Sequence, residues 1–111
     1  MKSNFSEEDE SAASFGARGK RSGSKMLEFR LKTGVGFAIG YHWMQSLSLT
    51  PDHRIEIIFS THEITIEGRN LKELYRGLIE HRVPFIQEGD ALYDQSPQTE
   101  PFVSGITVSP R

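Results

Sequence analysis

Histidines and carboxylates are the side chains of this chain best suited to acid–base or metal chemistry. The histidines are His42, His53, His62 and His81, and Glu63 directly follows one of them. Their spacing does not match a ligand set on one predicted element, so no metal site is predicted. Polar turn positions account for His53 and His62, and a cation at a helix C-terminus accounts for His81. An acid–base site stays open as an alternative, which requires two of His42, His62, His81 and Glu63 within hydrogen-bond reach.

Other catalytic signatures do not occur in the sequence. Glu56, Glu63 and Glu67 recur on or beside predicted strands, as the polar side of a sheet requires. The serines lack the G-x-S-x-G nucleophile pattern, and no Lys-Ser/Thr pair follows the glycines of residues 34–40. The absence of cysteine excludes disulfides, thiolate metal sites and cysteine nucleophiles. We therefore predict a non-enzymatic protein with no cofactor and no small-molecule site.

The N-terminal segment separates its charges into two clusters. Residues 7–10 are all acidic, whereas Arg18, Lys20, Arg21 and Lys25 lie among glycine and serine with no acid between them. A segment with so few branched apolar residues cannot bury enough surface to fold, so residues 1–25 are predicted to be a disordered tail. Flexible basic segments bind nucleic acid through phosphates. Nucleic-acid binding through these four cations is therefore the alternative function.

The elements that would position these groups begin with two predicted strands. Apolar and charged residues alternate from Leu27 to Lys32, and Thr33-Gly34 makes a turn. The run 35–43 alternates large apolar residues with small ones, which predicts close approach of another backbone or a helix to its small-residue side. Tyr41 and Trp43 share the large-residue face and are predicted to be core. Base stacking on these two rings is the alternative.

A strand pair, a helix and a returning strand follow. Residues 55–59 and 64–66 alternate as strands, and Gly68 is expected to end the second. Asn70 is the predicted N-cap of a helix that ends before Pro84. The apolar positions of this helix recur every three or four residues along one stripe, Leu71, Leu74, Tyr75, Leu78 and Ile79. Phe85 and Ile86 then form a short strand that suits a sheet edge, because proline cannot donate a ladder hydrogen bond.

These patterns predict an α+β domain over residues 26–90. Its expected architecture is a curved antiparallel sheet of four to five strands with one helix packed on one face. Residues 91–111 contain three prolines and are predicted to be a mostly extended C-terminal tail. Within that tail, residues 102–108 could add an edge strand but are expected to stay loose.

A domain of about 65 residues is marginal as a single core, and it gains stability from a partner. We therefore predict a protein-interaction or scaffolding module that binds a protein partner or self-associates. Gly77 is expected on the polar side of the helix, where glycine costs about 1 kcal/mol relative to alanine. Close approach of a second chain would explain it, and Gly77, Arg76 and Phe85 are the predicted interface residues.

The block ITIEGRNLKELYRGLIEHRV resembles small conserved hypothetical proteins of bacteria, in which a strand ending in Gly-x-Asn-Leu leads into an amphipathic helix. The resemblance covers about residues 41–88. It depends on structural positions, namely Gly68, Asn70, Leu71, Leu74, Leu78 and Val83. It implies the fold and a bacterial origin, and it carries no activity or site.

Composition sets the remaining bounds. The chain has 111 residues and a formal net charge of −2, which gives no general attraction to nucleic acid or to anionic membranes. No apolar run approaches the roughly 18 residues of a spanning helix, and the N-terminus lacks the pattern of a signal peptide. A soluble cytoplasmic protein without a membrane partner is therefore expected.

Overall fold

The computed structural model describes Phe15, residues 25–90 and residues 99–111, which form an α+β fold as predicted. The strands of these residues are β1 (Met26–Arg30), β2 (Gly36–Gly40), β3 (Met44–Thr50), β4 (Arg54–Phe59), β5 (His62–Arg69), β6 (Phe85–Gln87) and β7 (Phe102–Pro110). Helix α1 (Lys72–Ile79) lies between β5 and β6. None of the described helices is long and apolar enough to cross a membrane.

The strands form two sheets, where the sequence predicted one curved antiparallel sheet. One sheet has the order β2-β1-β6 and the other the order β3-β4-β5-β7. Most pairings are antiparallel, but β6 runs parallel to β1. Helix α1 explains the parallel pairing. It carries the chain from the end of β5 back to the start of β1, so β6 runs in the same direction as β1.

Glu88 and Gly89, directly after β6, join the two sheets. The Gly89 N–H donates to the carbonyl of Val103 in β7 at 2.8 Å. The Glu88 carboxylate accepts the N–H of Lys32 at 3.0 Å and the N–H of Ile106 at 3.1 Å. This single side chain therefore satisfies backbone donors that lie beyond the end of β1 and within β7.

The core lies between the sheets and the helix. Alternate residues of β4 and β5 are fully buried, as the period of two predicts, and Phe29 of β1 meets Phe59 edge-on with 6.3 Å between ring centres. Leu74 and Leu78 of α1 have no exposed surface. The helical stripe predicted from the sequence thus faces the core at these two positions.

The run 35–43 is not one strand with all its large residues inside. After β2, residues Tyr41–Trp43 form a 3-10 turn, whose period of three breaks the alternation. Tyr41 stays buried, and its hydroxyl donates to the Val83 carbonyl at 2.7 Å. Val35 and Trp43 are 54% and 52% exposed, so the core prediction is confirmed for Tyr41 and wrong for Trp43.

The small residues of β2 accommodate side chains of the same chain. A Cβ on Gly36 would lie 2.9 Å from a Glu28 carboxylate oxygen, and one on Gly40 would lie 2.9 Å from the His42 ring. The expected close approach of a backbone or a helix is therefore replaced by these two side chains.

The start of α1 differs from the predicted cap. The N-cap residue is Leu71, and no side chain caps the helix. Asn70 adopts a left-handed conformation with φ 55°. Its side-chain amide donates to the Glu100 carbonyl at 3.2 Å, so it binds the segment before β7 instead of the helix N-terminus.

Helix α1 ends at Ile79, before the proline that was predicted to stop it. His81 adopts the left-handed conformation, with φ 57°. Its N–H donates to the Leu78 carbonyl, and the Arg82 N–H donates to the Gly77 carbonyl. These two bonds make a Schellman motif in which histidine takes the position usually held by glycine.

Strand β7 corrects two predictions about the second half of the chain. Residues 102–108, expected to stay loose, belong to a nine-residue strand paired with β5. Gly68 does not end β5 but sits at a register shift opposite Val103. A Cβ on Gly68 would lie only 2.0 Å from the Phe102 carbonyl oxygen, so the backbones approach too closely for any side chain here.

Candidate functional site

The structure places the four histidines at separate positions, of which two share a cleft. His53 lies in the turn between β3 and β4, and His62 opens β5 against the Phe37 ring at 4.9 Å. His42 and His81 both line a cleft beside Trp43. Among the described residues, no group of three or more His, Cys, Asp or Glu side chains could hold a metal ion.

The predicted basic site is only partly within the structure. Arg18, Lys20 and Arg21 lie outside the described residues. Lys25 is exposed directly before β1 and lines the same cleft as His42.

The predicted interface residues separate into one exposed and two interior positions. Gly77 is buried, and a Cβ there would lie 2.7 Å from a methyl group of Val83. Its expected place on the polar side of the helix is therefore wrong, because the close neighbour is this chain's own Val83. Phe85 is 1% exposed and lies under the Arg30 guanidinium, 3.9 Å from the ring centre. Arg76 is exposed at the helix surface.

Aromatic and basic side chains surround the cleft beside Trp43. Its volume is about 410 Å³, and its lining residues are Lys25, Met26, Gly40, Tyr41, His42, Trp43 and His81. None of them is acidic, whereas the other clefts described contain Glu80, Glu73, or Asp52 with Glu67. Trp43 and Met26 are each more than half exposed. We call this cluster the Trp43 cleft.

Backbone and ring contacts fix the walls of the Trp43 cleft. The Tyr41 hydroxyl bond to Val83 anchors the phenol, and the His81 ring stacks on it with centres 4.4 Å apart and planes 19° apart. Burial raises the pKa of Tyr41, so the ring stays protonated and donates this bond. On the other side, the His42 and Trp43 rings lie 4.5 Å apart. The wall formed by Tyr41 and His81 is therefore held in place without a ligand, whereas His42 and Trp43 are exposed and contact each other.

A second surface combines a groove beside α1 with the outer edge of β3, which has no neighbouring strand among the described residues. Strand β3 ends its sheet, and its sequence MQSLSLT contains no charge and no proline. The groove has a volume of about 400 Å³, and its apolar wall consists of Leu49, Tyr75 and Ile79. Lys72, Arg76 and Glu80 form its rim. Ile79 is 55% exposed although it belongs to the predicted apolar stripe. We call this surface the β3 face.

Charges near the turn after β3 have a structural role. Arg54 donates two hydrogen bonds to Asp52, and Thr50 donates another to the same carboxylate. Hydrogen bonds from Arg54 and then Thr50 lower the pKa of Asp52 to about 2. This arrangement closes the β3–β4 turn on an exposed surface and shows no sign of a raised carboxylate pKa that acid catalysis would need.

Sequence reasoning missed one feature of each surface and one contact between the sheets. The exposure of Trp43 follows from a 3-10 turn that a period-two pattern does not reveal, and the β3 edge depends on strand order. The sheet-joining role of Glu88 depends on β7, which was expected to be loose. The sequence carries one signal for the exposure of Ile79, because this residue lies at the margin of the helical stripe, next to the acidic Glu80.

Comparisons of the chain with protein-family models, with curated proteins and with solved structures give no match. The resemblance to small bacterial proteins thus stays a prediction.

Proposed function

We propose that this chain is a non-enzymatic interaction module that self-associates through the β3 face. The observation that carries the proposal is a seven-residue edge strand without charge or proline beside an exposed apolar groove. An edge strand presents unpaired backbone donors and acceptors, and proteins that remain monomeric protect such edges with charges, prolines or bulges. A register shift against β4 between Met44 and Ser46 interrupts the start of β3, so the regular part of this edge is residues 46–50. The proposed role needs no cofactor, and the cysteine-free composition is compatible with a cytoplasmic setting.

Each of the other sheet edges has a feature that hinders pairing with a further strand. At β6, Phe15 makes a bridge to Ile86, and Glu88 and Gly89 continue into contacts with β7. Strand β7 ends with Pro110, which cannot donate to a ladder. Strand β2 is shorter than β3 and has glycine at both ends, which weakens a strand. Strand β3 is therefore the edge best suited to pair with another strand.

The groove favours a second copy of this chain as the occupant. A two-fold axis brings the same surface of both copies together, so the surface must complement itself. The rim of the groove satisfies this condition because it carries both signs, Lys72 and Arg76 beside Glu80. Antiparallel pairing of two β3 strands would extend the sheet and bring Ile79 of each copy toward apolar surface of the other. A partner of a single charge would meet repulsion at one side of this rim.

Self-association is tested by multi-angle light scattering on the full chain at low and moderate salt. A dimer at both salt concentrations is expected, since apolar burial and backbone pairing depend little on ionic strength. Ile79→Glu and Ser48→Lys should each shift the species to a monomer, because they place a charge in the groove and on the free edge. Thr107→Lys is the matched control, since it places the same charge on an exposed position of β7. A folded wild-type monomer at high concentration, or a dimer unaffected by both variants, contradicts the proposal.

A further inference from the structure

The Trp43 cleft carries an inference that is independent of self-association. We propose that this cleft binds a small planar aromatic carboxylate, whose ring stacks on the side chains of the cleft and whose carboxylate contacts Lys25. The sequence alone predicted no small-molecule site, because the residues that line the cleft come from three separate parts of the chain. The polar groups, the aromatic rings and the backbone at His81 each favour this class of ligand.

The polar side chains of the cleft favour a ligand with a negative charge. Lys25 has an ammonium group, and the imidazoles of His42 and His81 each carry at least one N–H donor. The residues that line the cleft include no carboxylate to compete for these donors. The Tyr41 N–H donates to the Lys25 carbonyl at 2.9 Å, which fixes the backbone from which the lysine extends. A carboxylate fits such donors, because hydrogen bonds between charged groups are stronger than those between neutral groups.

The rings beside Gly40 favour a ligand that is flat. Trp43 is half exposed and lies beside the His42 ring. Both rings lie against the Gly40 backbone, since a Cβ on this glycine would be 2.9 Å from the His42 ring and 3.3 Å from the Trp43 indole. Met26 is also half exposed, and its thioether makes favourable contacts with aromatic rings. A planar aromatic ring in the cleft therefore gains stacking and apolar burial.

The backbone of His81 is a further, independent observation. Its φ of 57° places a residue with a Cβ in the left-handed region, at a position where helices usually end in glycine. Unfavourable conformations of this kind cluster at functional sites. Glycine at this position would remove the imidazole that stacks on Tyr41 and lines the cleft. The unfavourable backbone thus coincides with a ring and an N–H donor in the wall of the cleft.

The size of the cleft limits the ligand to one or two fused rings. Its volume of about 410 Å³ is near the lower end of the range for ligand clefts. Lys25 is the one lysine that lines it, and one ammonium group pairs with one carboxylate. A bicyclic ring with a single carboxylate meets both conditions, and 1-naphthoate is a simple probe with this chemistry.

Trp43 provides a direct reporter of binding, because the chain has a single tryptophan and its indole N–H gives one separate signal in a proton–nitrogen NMR spectrum. Titration of the full chain with 1-naphthoate should shift this signal and the backbone amides of residues 40–43 and 81. Two matched probes separate charge from stacking. The uncharged 1-naphthamide keeps the ring, and cyclohexanecarboxylate keeps the charge without a flat ring. Each should bind about fivefold more weakly than 1-naphthoate.

Two results of these titrations contradict the proposal. The first is an absence of saturable shifts with 1-naphthoate at concentrations up to about 10 mM, which corresponds to almost no binding free energy beyond that of a weak fragment. The second is an affinity for either matched probe that equals the affinity for 1-naphthoate. Oligo(dT) of about 12 nucleotides, the length of an ordinary single-strand site, tests the other class of ligand. If it displaces 1-naphthoate at a lower concentration than 1-naphthoate itself requires, the cleft belongs to single-stranded nucleic acid.

Variants with matched controls assign the contacts. Trp43→Ala, followed through backbone amides, should bind 1-naphthoate about tenfold more weakly, whereas Val35→Ala, at a similarly exposed apolar residue, should bind it normally. Lys25→Gln should weaken binding about twofold to fivefold. Lys32→Gln lies beyond the other end of β1 and should have no effect. Wild-type affinity in either Trp43→Ala or Lys25→Gln overturns the proposal.

His81→Asn separates the ring from the turn. Asparagine also adopts the left-handed conformation, so this variant keeps the end of α1 and removes the imidazole. Binding of 1-naphthoate should weaken about twofold to tenfold, the range expected for one aromatic contact. Wild-type affinity combined with a lowered urea midpoint would show that His81 only covers Tyr41, and would contradict its place in the site.

Discussion

Gly77 provides the sharpest test of how α1 packs. Replacing it by alanine places a Cβ 2.7 Å from a methyl carbon of Val83. Ordinary carbon contacts are about 3.5–4.0 Å, so Val83 must retreat by roughly 1 Å. Val83 has no exposed surface and a stiff branched side chain, so this movement disturbs its neighbours.

The net effect follows from two opposing terms. Overpacking of a core costs about 1–3 kcal/mol, and alanine within a helix gains about 1 kcal/mol over glycine. Gly77→Ala should therefore lower the free energy of unfolding by about 0–2 kcal/mol. In a Val83→Ala background the clash disappears, and the same change should raise it by up to about 1 kcal/mol. The coupling between the two positions is the difference, about 1–3 kcal/mol.

Urea unfolding of the wild type, both single variants and the double variant measures this coupling. Glu73→Ala, at an exposed helical position, is the control and should have the same effect in both backgrounds. Additive effects of the Gly77 and Val83 changes, within about 0.5 kcal/mol, would refute the packing argument. Stabilisation by Gly77→Ala in the wild-type chain would also refute it, since the space beside the helix would then be open.

Three further predictions concern contacts that link different elements of the fold. Gly68→Ala should lower the free energy of unfolding in urea by about 3 kcal/mol or more, because its Cβ meets the Phe102 backbone. Gly105→Ala is the control and should be close to neutral, because its Cβ meets only ordinary contact distances. Similar effects of the two variants would contradict the bulge at Gly68. Tyr41→Phe should cost about 1–3 kcal/mol, because it leaves a buried carbonyl without its donor. The raised pKa of Tyr41 also means that its contribution is complete below pH 10 and declines as the pH rises further, so the variant should lose less stability than the wild type in alkali. Glu88→Gln should cost about 1–3 kcal/mol, since the two backbone N–H groups bind different carboxylate oxygens and the NH2 that replaces one of them cannot accept. An unchanged urea midpoint would disprove the role of Glu88 between the sheets.

The local patterns predicted most elements because each element buries one regular face. The alternation in β1, β4 and β5 and the stripe of α1 appear in the structure at Leu27, Ile57, Ile66 and Leu74, all fully buried. Predictions of this kind require only the spacing of apolar residues along the sequence, which shows which face of the strand or helix is buried.

The errors occur where a tertiary contact overrides the local pattern. The buried residues Val103 and Ile106 of β7 are three apart, because the register shift near Gly68 interrupts the alternation. Asn70 resembles an N-cap, but its side chain binds a carbonyl 30 residues away. Gly77 seemed to face solvent because Val83 approaches it only after the turn at His81.

The candidate surfaces were harder to predict than the fold. The sequence drew attention to Tyr41, Trp43 and the basic residues separately, and the structure brings Lys25 to the ring cluster. The β3 face depends on the order of strands and on the position of α1 beside Leu49, and neither is encoded in a short pattern. A marginal core gives less reason to expect a partner than the sequence suggested, because Val103 and Ile106 of β7 supply part of that core from the same chain.

Hydrogen–deuterium exchange of the β3 backbone at several protein concentrations tests self-association through this strand most directly. If two copies pair through β3, amides of residues 46–50, the regular part of the strand, should become more protected as concentration rises, whereas amides of β2 should not change. The Ile79→Glu variant should show low β3 protection at every concentration. Protection of β3 that is independent of concentration in the wild type would contradict the proposed association.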